Sequence, residues 1–259
     1  MAELNGAPVT PDELKSLALV NYGHFTSMRV DDQQIRGLSH HLQRLVRDCR
    51  TVFAADLDEE EVRGYIRQAI EGRGGSFVTR VTIFDPALEL GHPGSDARPG
   101  VLVTTRPAGT LPMPPIRVQS ATYTRDLPEV KHVGLFGALR HRRIAQRNGY
   151  DDAVFTDPEG YISEGATWNI GFFDGDRVIW PNSEVLLGVT MRLLQQVHER
   201  TALNSVSLKD LPQMEAAFAT NTAVGVRPVT AINDVEFPSD HPILGTLRKE
   251  YEEIPAEAL

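Results

Sequence analysis

The chain has 259 residues and one cysteine, Cys49, which excludes an intramolecular disulfide and a zinc site built on cysteines. No apolar run approaches the roughly 20 residues that span a bilayer as a helix. The opening, Met-Ala-Glu-Leu-Asn-Gly-Ala-Pro, has neither the basic region nor the apolar stretch of a signal peptide, so a cytoplasmic location is expected. Positive charge is in deficit: 26 Lys and Arg stand against 35 Asp and Glu, a net charge of −9. Such a chain has no overall electrostatic reason to bind nucleic acid or an anionic membrane. The one basic cluster, Arg140-His141-Arg142-Arg143, has no interleaved aromatics and reads as a solvated helix face. Repeats and low-complexity segments are absent. With 41% hydrophobic and 24% charged residues, the composition is that of a folded globular protein, long enough for one or two domains.

Punctuation along the chain gives the elements. Thr10-Pro11-Asp12-Glu13 reads as a helix start, with Thr10 as N-cap and a short helix to about Leu19. A strand is expected over 22–30. Ser39 reads as the cap of a helix to about Val52, with an apolar stripe of Leu42, Leu45, Val46 and Cys49. Cys49 is then a small buried hydrophobe. Arg44 lies off the stripe and, by spacing alone, is a solvated arginine. His40 and His41 are adjacent on the helix and point apart, which argues against a metal pair. A second helix, over 56–70, opens on Asp58-Glu59-Glu60-Glu61 and breaks at Gly72–Gly75. Strands follow over 77–84 and 101–105. Arg80 is a lone charge in the first of these, open to structural pairing or to a substrate carboxylate. Prolines 107, 112, 114 and 115 with Gly109 mark a linker. The expected division is an N-terminal α/β domain over 1–108, a linker over 109–117 and a C-terminal domain over 118–259. The acidic tail after Pro242 reads as a surface helix.

The most informative stretch runs from Glu129 to Phe173. Lys131 precedes a helix expected over 135–146, with Asn148-Gly149 as its C-cap. A strand over 152–156, a turn at Asp157-Pro158-Glu159-Gly160 and a strand from Tyr161 to Gly165 carrying Glu164 come next, continued over 169–173. A lysine amine is a poor nucleophile while protonated, and desolvation or a nearby cation frees it to form a Schiff base. Pyridoxal 5′-phosphate (PLP) needs such a lysine and an anionic partner at its ring nitrogen. Lys131 and Glu164 have the right types for those roles. By themselves, a lysine before a helix is usually solvated and a strand glutamate usually points outward.

Four blocks then stand in one order: 129–134 (Glu-Val-Lys-His-Val-Gly), 161–170 (Tyr-Ile-Ser-Glu-Gly-Ala-Thr-Trp-Asn-Ile), 186–192 (Leu-Leu-Gly-Val-Thr-Met-Arg) and 219–229 (Ala-Thr-Asn-Thr-Ala-Val-Gly-Val-Arg-Pro-Val). In order and spacing they resemble the class IV aminotransferases. This fold-type IV PLP family includes branched-chain and D-amino-acid aminotransferases, aminodeoxychorismate lyases and (R)-selective amine transaminases. The resemblance runs from about Tyr22 to Pro238, and Ser-Glu-Gly-x-x-x-Asn-Ile is its most specific part.

The resemblance implies a two-domain α/β (α+β) fold, with a smaller N-terminal domain and a larger, β-barrel-like C-terminal domain that binds PLP. It implies an aminotransferase acting on an amino donor and a 2-oxo acid, in which Lys131 holds PLP as a Schiff base and serves as general acid and base. Glu164 pairs with the ring nitrogen. His41-Leu42-Gln43-Arg44-Leu45 matches the segment whose arginine holds the cofactor phosphate, which carries that role to Arg44. Val189 N–H and Thr190 at a helix start, and Thr222, complete the phosphate contacts; by spacing alone Thr190 is an ordinary N-cap. Tyr22, His24 or Phe25, together with Trp168, Ala223 and Arg227, are the candidate substrate contacts. Ordinary strand aromatics at 22–25, a packing role for Trp168 and a surface charge at Arg227 remain equal alternatives. A homodimer is implied, and no metal. The alternative within the family is an aminodeoxychorismate lyase-type enzyme that releases pyruvate. Phe136 stands where branched-chain enzymes have tyrosine, Gly134 where the lyases have asparagine, and Met191 displaces Arg192 from the position many relatives use.

Overall fold

The computed structural model describes residues 2–259. In chain order the first elements are β1 (Ala2–Leu4), β2 (Ala7–Pro8), α1 (Leu14–Leu19), β3 (His24–Asp31), β4 (Gln34–Arg36), α2 (Leu38–Phe53), α3 (Glu59–Ile70), β5 (Ser76–Phe84) and β6 (Gly100–Pro107). Then come β7 (Ile116–Thr122), α4 (Phe136–Arg147), β8 (Asp152–Thr156), β9 (Ile162–Gly165), β10 (Asn169–Phe173), β11 (Val178–Pro181) and α5 (Val189–Val197). The last are β12 (Thr201–Asn204), β13 (Ala216–Asn221), β14 (Gly225–Ile232), β15 (Val235–Glu236), α6 (Pro242–Glu253) and β16 (Ala256–Ala258). The chain divides into two compact units. One comprises the residues through Gly109 with Val130–Gly134 and Pro255–Leu259, and the other Thr110–Glu129 with Leu135–Ile254.

The first unit is built on a seven-stranded sheet in the order β16-β4-β3-β5-β6-β1-β2. Its centre is antiparallel, from His24 opposite Ile83 to Asp31 opposite Ser76. β5 is rich in Val, Thr, Ile and Phe, residues that suit a pleated, half-buried surface. Helices α2 and α3 bury Leu38, Leu42, Leu45, Cys49, Val62 and Ile66 against Met28, Val30, Val81 and Val103. Cys49 is buried, as its place on the stripe required. Asp58 caps α3 by accepting from Glu60 N–H at 2.8 Å and Glu61 N–H at 3.2 Å.

Two helix starts differ from the sequence expectation. Ser39 is not the cap of α2. Gly37 takes that place with φ 70, a left-handed conformation that costs glycine little. Ser39 instead turns its backbone N–H, 3.2 Å away, and its hydroxyl to the carboxylate of Glu257 on β16. An acid from the far end of the chain thus serves the free N–H groups of the first turn. At α1, Thr10 and Glu13 cap each other reciprocally, with Thr10 N–H donating to Glu13 Oε2 at 2.7 Å and Glu13 N–H to Thr10 Oγ1 at 3.3 Å. Helix proper begins only at Leu14, and no residue of α1 is buried.

Val130–Gly134 belongs to this unit through its backbone. Phe25 N–H donates to Lys131 C=O at 2.8 Å, Val133 N–H to Gly23 C=O at 2.9 Å, and Lys131 N–H to Asp48 Oδ2 at 3.2 Å. Lys131 therefore sits in a segment pinned on both sides, not in a loose loop.

The second unit holds a nine-stranded sheet in the order β12-β11-β10-β13-β14-β7-β8-β9, with β15 beside β14. β7 and β8 run parallel, as do β11 and β12. Helices α4 and α5 lie between the members of these pairs in sequence, because parallel neighbours need a crossover. Trp180, Leu194, Phe218, Leu244 and Leu247 form a core with α5 and α6, and Trp168, Ile170, Phe172 and Val229 form another. The tail after Pro242 is a helix, as expected, and buries Ile243, Leu244, Leu247 and Tyr251.

Candidate active site

In the first unit, β3 and α2 surround the segment of Lys131. Phe25 is buried on β3, and Lys131 Nζ lies 5.0 Å from its ring centroid. The Arg80 guanidinium lies 3.6 Å from the same centroid, and Arg80 Nε donates to Thr82 Oγ1 at 3.2 Å. One aromatic ring thus serves two cations, and Arg80, the lone charge of β5, is answered by ring and hydroxyl. Burial lowers the Arg80 pKa.

Arg44 is buried, not solvated. Its Nη2 donates to Thr26 Oγ1 and lies 3.3 Å from His41 Nδ1, while Thr26 Oγ1 and His41 Nδ1 are 2.7 Å apart. Because Arg44 donates to the threonine oxygen, the threonine O–H is left to donate to Nδ1, which makes Nδ1 an acceptor. Burial, then the charges of Arg44, Lys131 and His40, hold the His41 pKa well below its usual value. His41 is thus a neutral acceptor that orients a guanidinium. His24 is fully buried, and neither ring nitrogen has a hydrogen-bond partner among the described residues. Burial, then Arg44 and Arg47, push its pKa down to about 3. Tyr22 is half exposed, with its hydroxyl on Val52 C=O at 2.9 Å and its ring edge-on to Phe53.

In the second unit, Glu164 is buried on β9, and Arg125 Nε donates to its Oε1 at 2.8 Å. Gly165 follows because the Trp168 indole occupies the space a side chain would need. Trp168 is buried, and its Nε1–H donates to Asp152 Oδ2 at 2.8 Å. Arg142 holds the same carboxylate at 2.9 and 2.8 Å and reaches Thr167 Oγ1 at 2.7 Å. Arg142 therefore departs from the solvated face expected for its cluster, while Arg140 and Arg143 are exposed as expected.

Asn169 sits opposite Thr220 across β10 and β13. Its side chain accepts from Gly188 N–H at 3.1 Å and donates to Leu186 C=O at 2.7 Å, fixing the turn into α5. Gly188, not Thr190, is the N-cap, and Val189 and Thr190 are the first helical residues. Their N–H groups have no acceptor within the helix. The Thr190 hydroxyl is buried with no hydrogen-bond partner among the described residues, as is that of Thr220. Asn221 Oδ1 accepts from Ala223 N–H at 2.9 Å and Val224 N–H at 3.0 Å, shaping the turn that carries Thr222. Asn221 Nδ2 donates to Thr167 C=O at 3.2 Å. Glu164's loop, the Gly188 turn and the Asn221 turn therefore share one end of β10 and β13. Arg227 Nε is committed to Pro114 C=O at 2.6 Å. Met191 is buried and Arg192 half-buried, while Phe136 is exposed.

Arg125, Asp152, Thr26 and His41 were not singled out by sequence reasoning as site residues. Arg125 had one available signal, a charge in the short segment leading into Lys131. The others have side-chain partners 10 or more residues away in sequence, apart from His41 to Arg44, and no periodicity marks them.

A family model described as Amino-transferase class IV matches residues 23–232. A probable branched-chain-amino-acid aminotransferase of Rickettsia bellii is 32% identical over 126 residues, 45% of this chain and 43% of that protein. The chain thus matches less than half the length of this curated relative. The crystal structure of a branched-chain aminotransferase from Thermoproteus uzoniensis with norvaline has a TM-score of 0.85 at 19% identity, covering 97% of this chain and 93% of that one. A hypothetical aminotransferase from Mycobacterium tuberculosis in its PLP-bound form has a TM-score of 0.82 at 18% identity, covering 97% of both. At these identities the structures establish a shared fold, the mixed α/β architecture with two sheets that the sequence implied. With four-fifths of its length inside the family match, the chain belongs to the class IV aminotransferase family.

Proposed function

We propose that the chain is a PLP-dependent aminotransferase that moves an amino group between an amino acid or amine and a 2-oxo acid, with Lys131 as the lysine that holds the cofactor. Family membership supports the reaction class. The observation that carries the cofactor assignment is Thr190. A buried hydroxyl without a partner costs about 1–3 kcal/mol, and this one stands at the N-terminus of α5 beside N–H groups that lack helical acceptors. A phosphate oxygen satisfies both.

Bound PLP supplies an aldehyde for the lysine and a ring that withdraws electrons from the carbon bearing the amino group. Lys131 Nζ would hold the cofactor and move a proton at the substrate carbon. The Phe25 ring lies beside that amine, and the Arg80 guanidinium lies over the same ring. Glu164 holds a proton at the ring nitrogen. Arg44, Val189 N–H, Thr190 and Thr222 hold the phosphate, and His41 with Thr26 orients Arg44. Phe25 and Ala223 are the proposed substrate contacts. Tyr22, Trp168 and Arg227 have polar atoms engaged by Val52, Asp152 and Pro114, so their proposed part is the shape of the substrate site.

A homodimer is proposed, supported by the exposed Phe136 and Leu139 one turn apart on α4. No described helix is long and apolar enough to cross a membrane, and a cytoplasmic location is proposed. The test is a donor and acceptor screen on PLP-loaded protein. An amine donor alone should abolish the visible absorbance and a 2-oxo acid should restore it. Pyruvate released from aminodeoxychorismate without an acceptor would point to lyase chemistry instead.

A further inference from the structure

We infer that Arg125 is a positioning residue for Glu164, biasing a shared proton away from the carboxylate and onto the nitrogen the carboxylate faces. This rests on the reading of Glu164 as the partner of the cofactor ring nitrogen. The pair is built into the second unit: Arg125 Nε meets Glu164 Oε1 at 2.8 Å, and the two side chains are 8% and 9% exposed. Arg125 Nη2 also donates to Pro128 C=O, which fixes the guanidinium. Pro128 stands three residues before Lys131, so one side chain bonds both Glu164 and the segment leading to the lysine. Tyr123 and Asp126 are titratable groups beside the pair, and His141 packs on the Tyr123 ring. Burial, then Asp126 and Glu164, raise the Tyr123 pKa against the pull of Arg125.

A carboxylate and a pyridine nitrogen share one proton. In a water-poor site the uncharged arrangement, carboxylic acid facing bare nitrogen, competes with the ion pair because burial disfavours both charges. A guanidinium bonded to the carboxylate stabilises its ionised form and leaves the proton on the nitrogen. The same guanidinium repels a protonated nitrogen. Coulomb energy falls with distance, and the bonded carboxylate is nearer to Arg125 than any nitrogen that the carboxylate in turn binds. Stabilisation of the carboxylate therefore dominates.

The test uses the holo-protein loaded with PLP labelled with 15N in the ring, whose 15N shift reports the proton directly. In the wild type the nitrogen should stay protonated across the pH range in which the protein is folded. In Arg125→Met part of the proton should move to Glu164, shifting the 15N resonance toward the bare-nitrogen value at every pH. Arg125→Lys, which keeps the charge, should remain near the wild type. Should Arg125→Met fail to fold, Arg125→Gln carries the same comparison. An unchanged 15N shift in the charge-removing variant, with Glu164→Gln showing a bare nitrogen, overturns the inference and spares the Glu164 reading. An unchanged 15N shift in Glu164→Gln defeats that reading and the inference with it.

Discussion

Trp168 donates its indole N–H to Asp152 at 2.8 Å, and the same carboxylate takes two hydrogen bonds from Arg142. The loop after Glu164 is thereby tied to α4 and β8. Asp152→Asn should destabilise the protein by about 2–3 kcal/mol, because it leaves a mostly buried guanidinium with a neutral partner. Trp168→Phe, which loses the donor and part of a buried ring, should cost about 1–2 kcal/mol. Urea unfolding of the two variants checks the ratio, and equal losses would mean that packing rather than charge holds the loop.

Thr190→Val should act with opposite signs on two measurements. Without cofactor it removes an unpaired buried hydroxyl and should leave stability unchanged or raised by up to about 1 kcal/mol. With cofactor it removes a hydrogen bond to a dianion and should weaken PLP binding by about tenfold to a hundredfold. Binding of pyridoxal, which lacks the phosphate, should be unaffected. Loss of pyridoxal and PLP affinity alike would place the effect away from the phosphate.

His24 sets part of the acid stability. Its folded pKa of about 3 lies below the unfolded value of 6.5, so the unfolded chain binds the extra proton first. The stability held by neutral His24 is complete above pH 6.5 and is lost as pH falls toward 3, at up to about 1.4 kcal/mol per pH unit. His24→Leu should flatten that limb of the stability curve measured by denaturant unfolding. A curve of unchanged slope would remove His24 from the account.

Two glycines should respond oppositely to alanine. At Gly165 the added carbon meets the Trp168 indole, and Gly165→Ala should cost about 1–3 kcal/mol with a shifted tryptophan emission. Gly64 lies in α3 with open space around it, and Gly64→Ala should stabilise by about 0.5–1 kcal/mol. Thermal unfolding of the pair decides the matter.

What the sequence made legible is what short-range chemistry decides. Strands β8 and β10 are short apolar runs bounded by Gly, Pro and Asn punctuation, and α4 ends at Asn148-Gly149. Asp58 announces α3 because its cap bonds reach two and three residues ahead. The failures are long-range. Ser39 was expected as a cap, but its partner is Glu257, 218 residues on. Arg44 looked solvated by helix periodicity because Thr26, its main acceptor, comes from another strand. Arg125 left no periodic pattern, only a charge near Lys131, since an ion pair between a loop and a strand obeys no period. Arg44 and Thr190 were legible as site residues only through the resemblance, which supplied roles that spacing could not, whereas Glu164 was legible first by residue type.

Lys131 as the covalent anchor of the cofactor is tested most directly by borohydride reduction of the PLP-loaded protein, followed by peptide mapping. The sequence has four lysines, Lys15, Lys131, Lys209 and Lys249, so the map discriminates. The account predicts the reduced cofactor on the peptide containing Lys131 and nowhere else. A modified Lys15, Lys209 or Lys249, with Lys131 untouched, would contradict it.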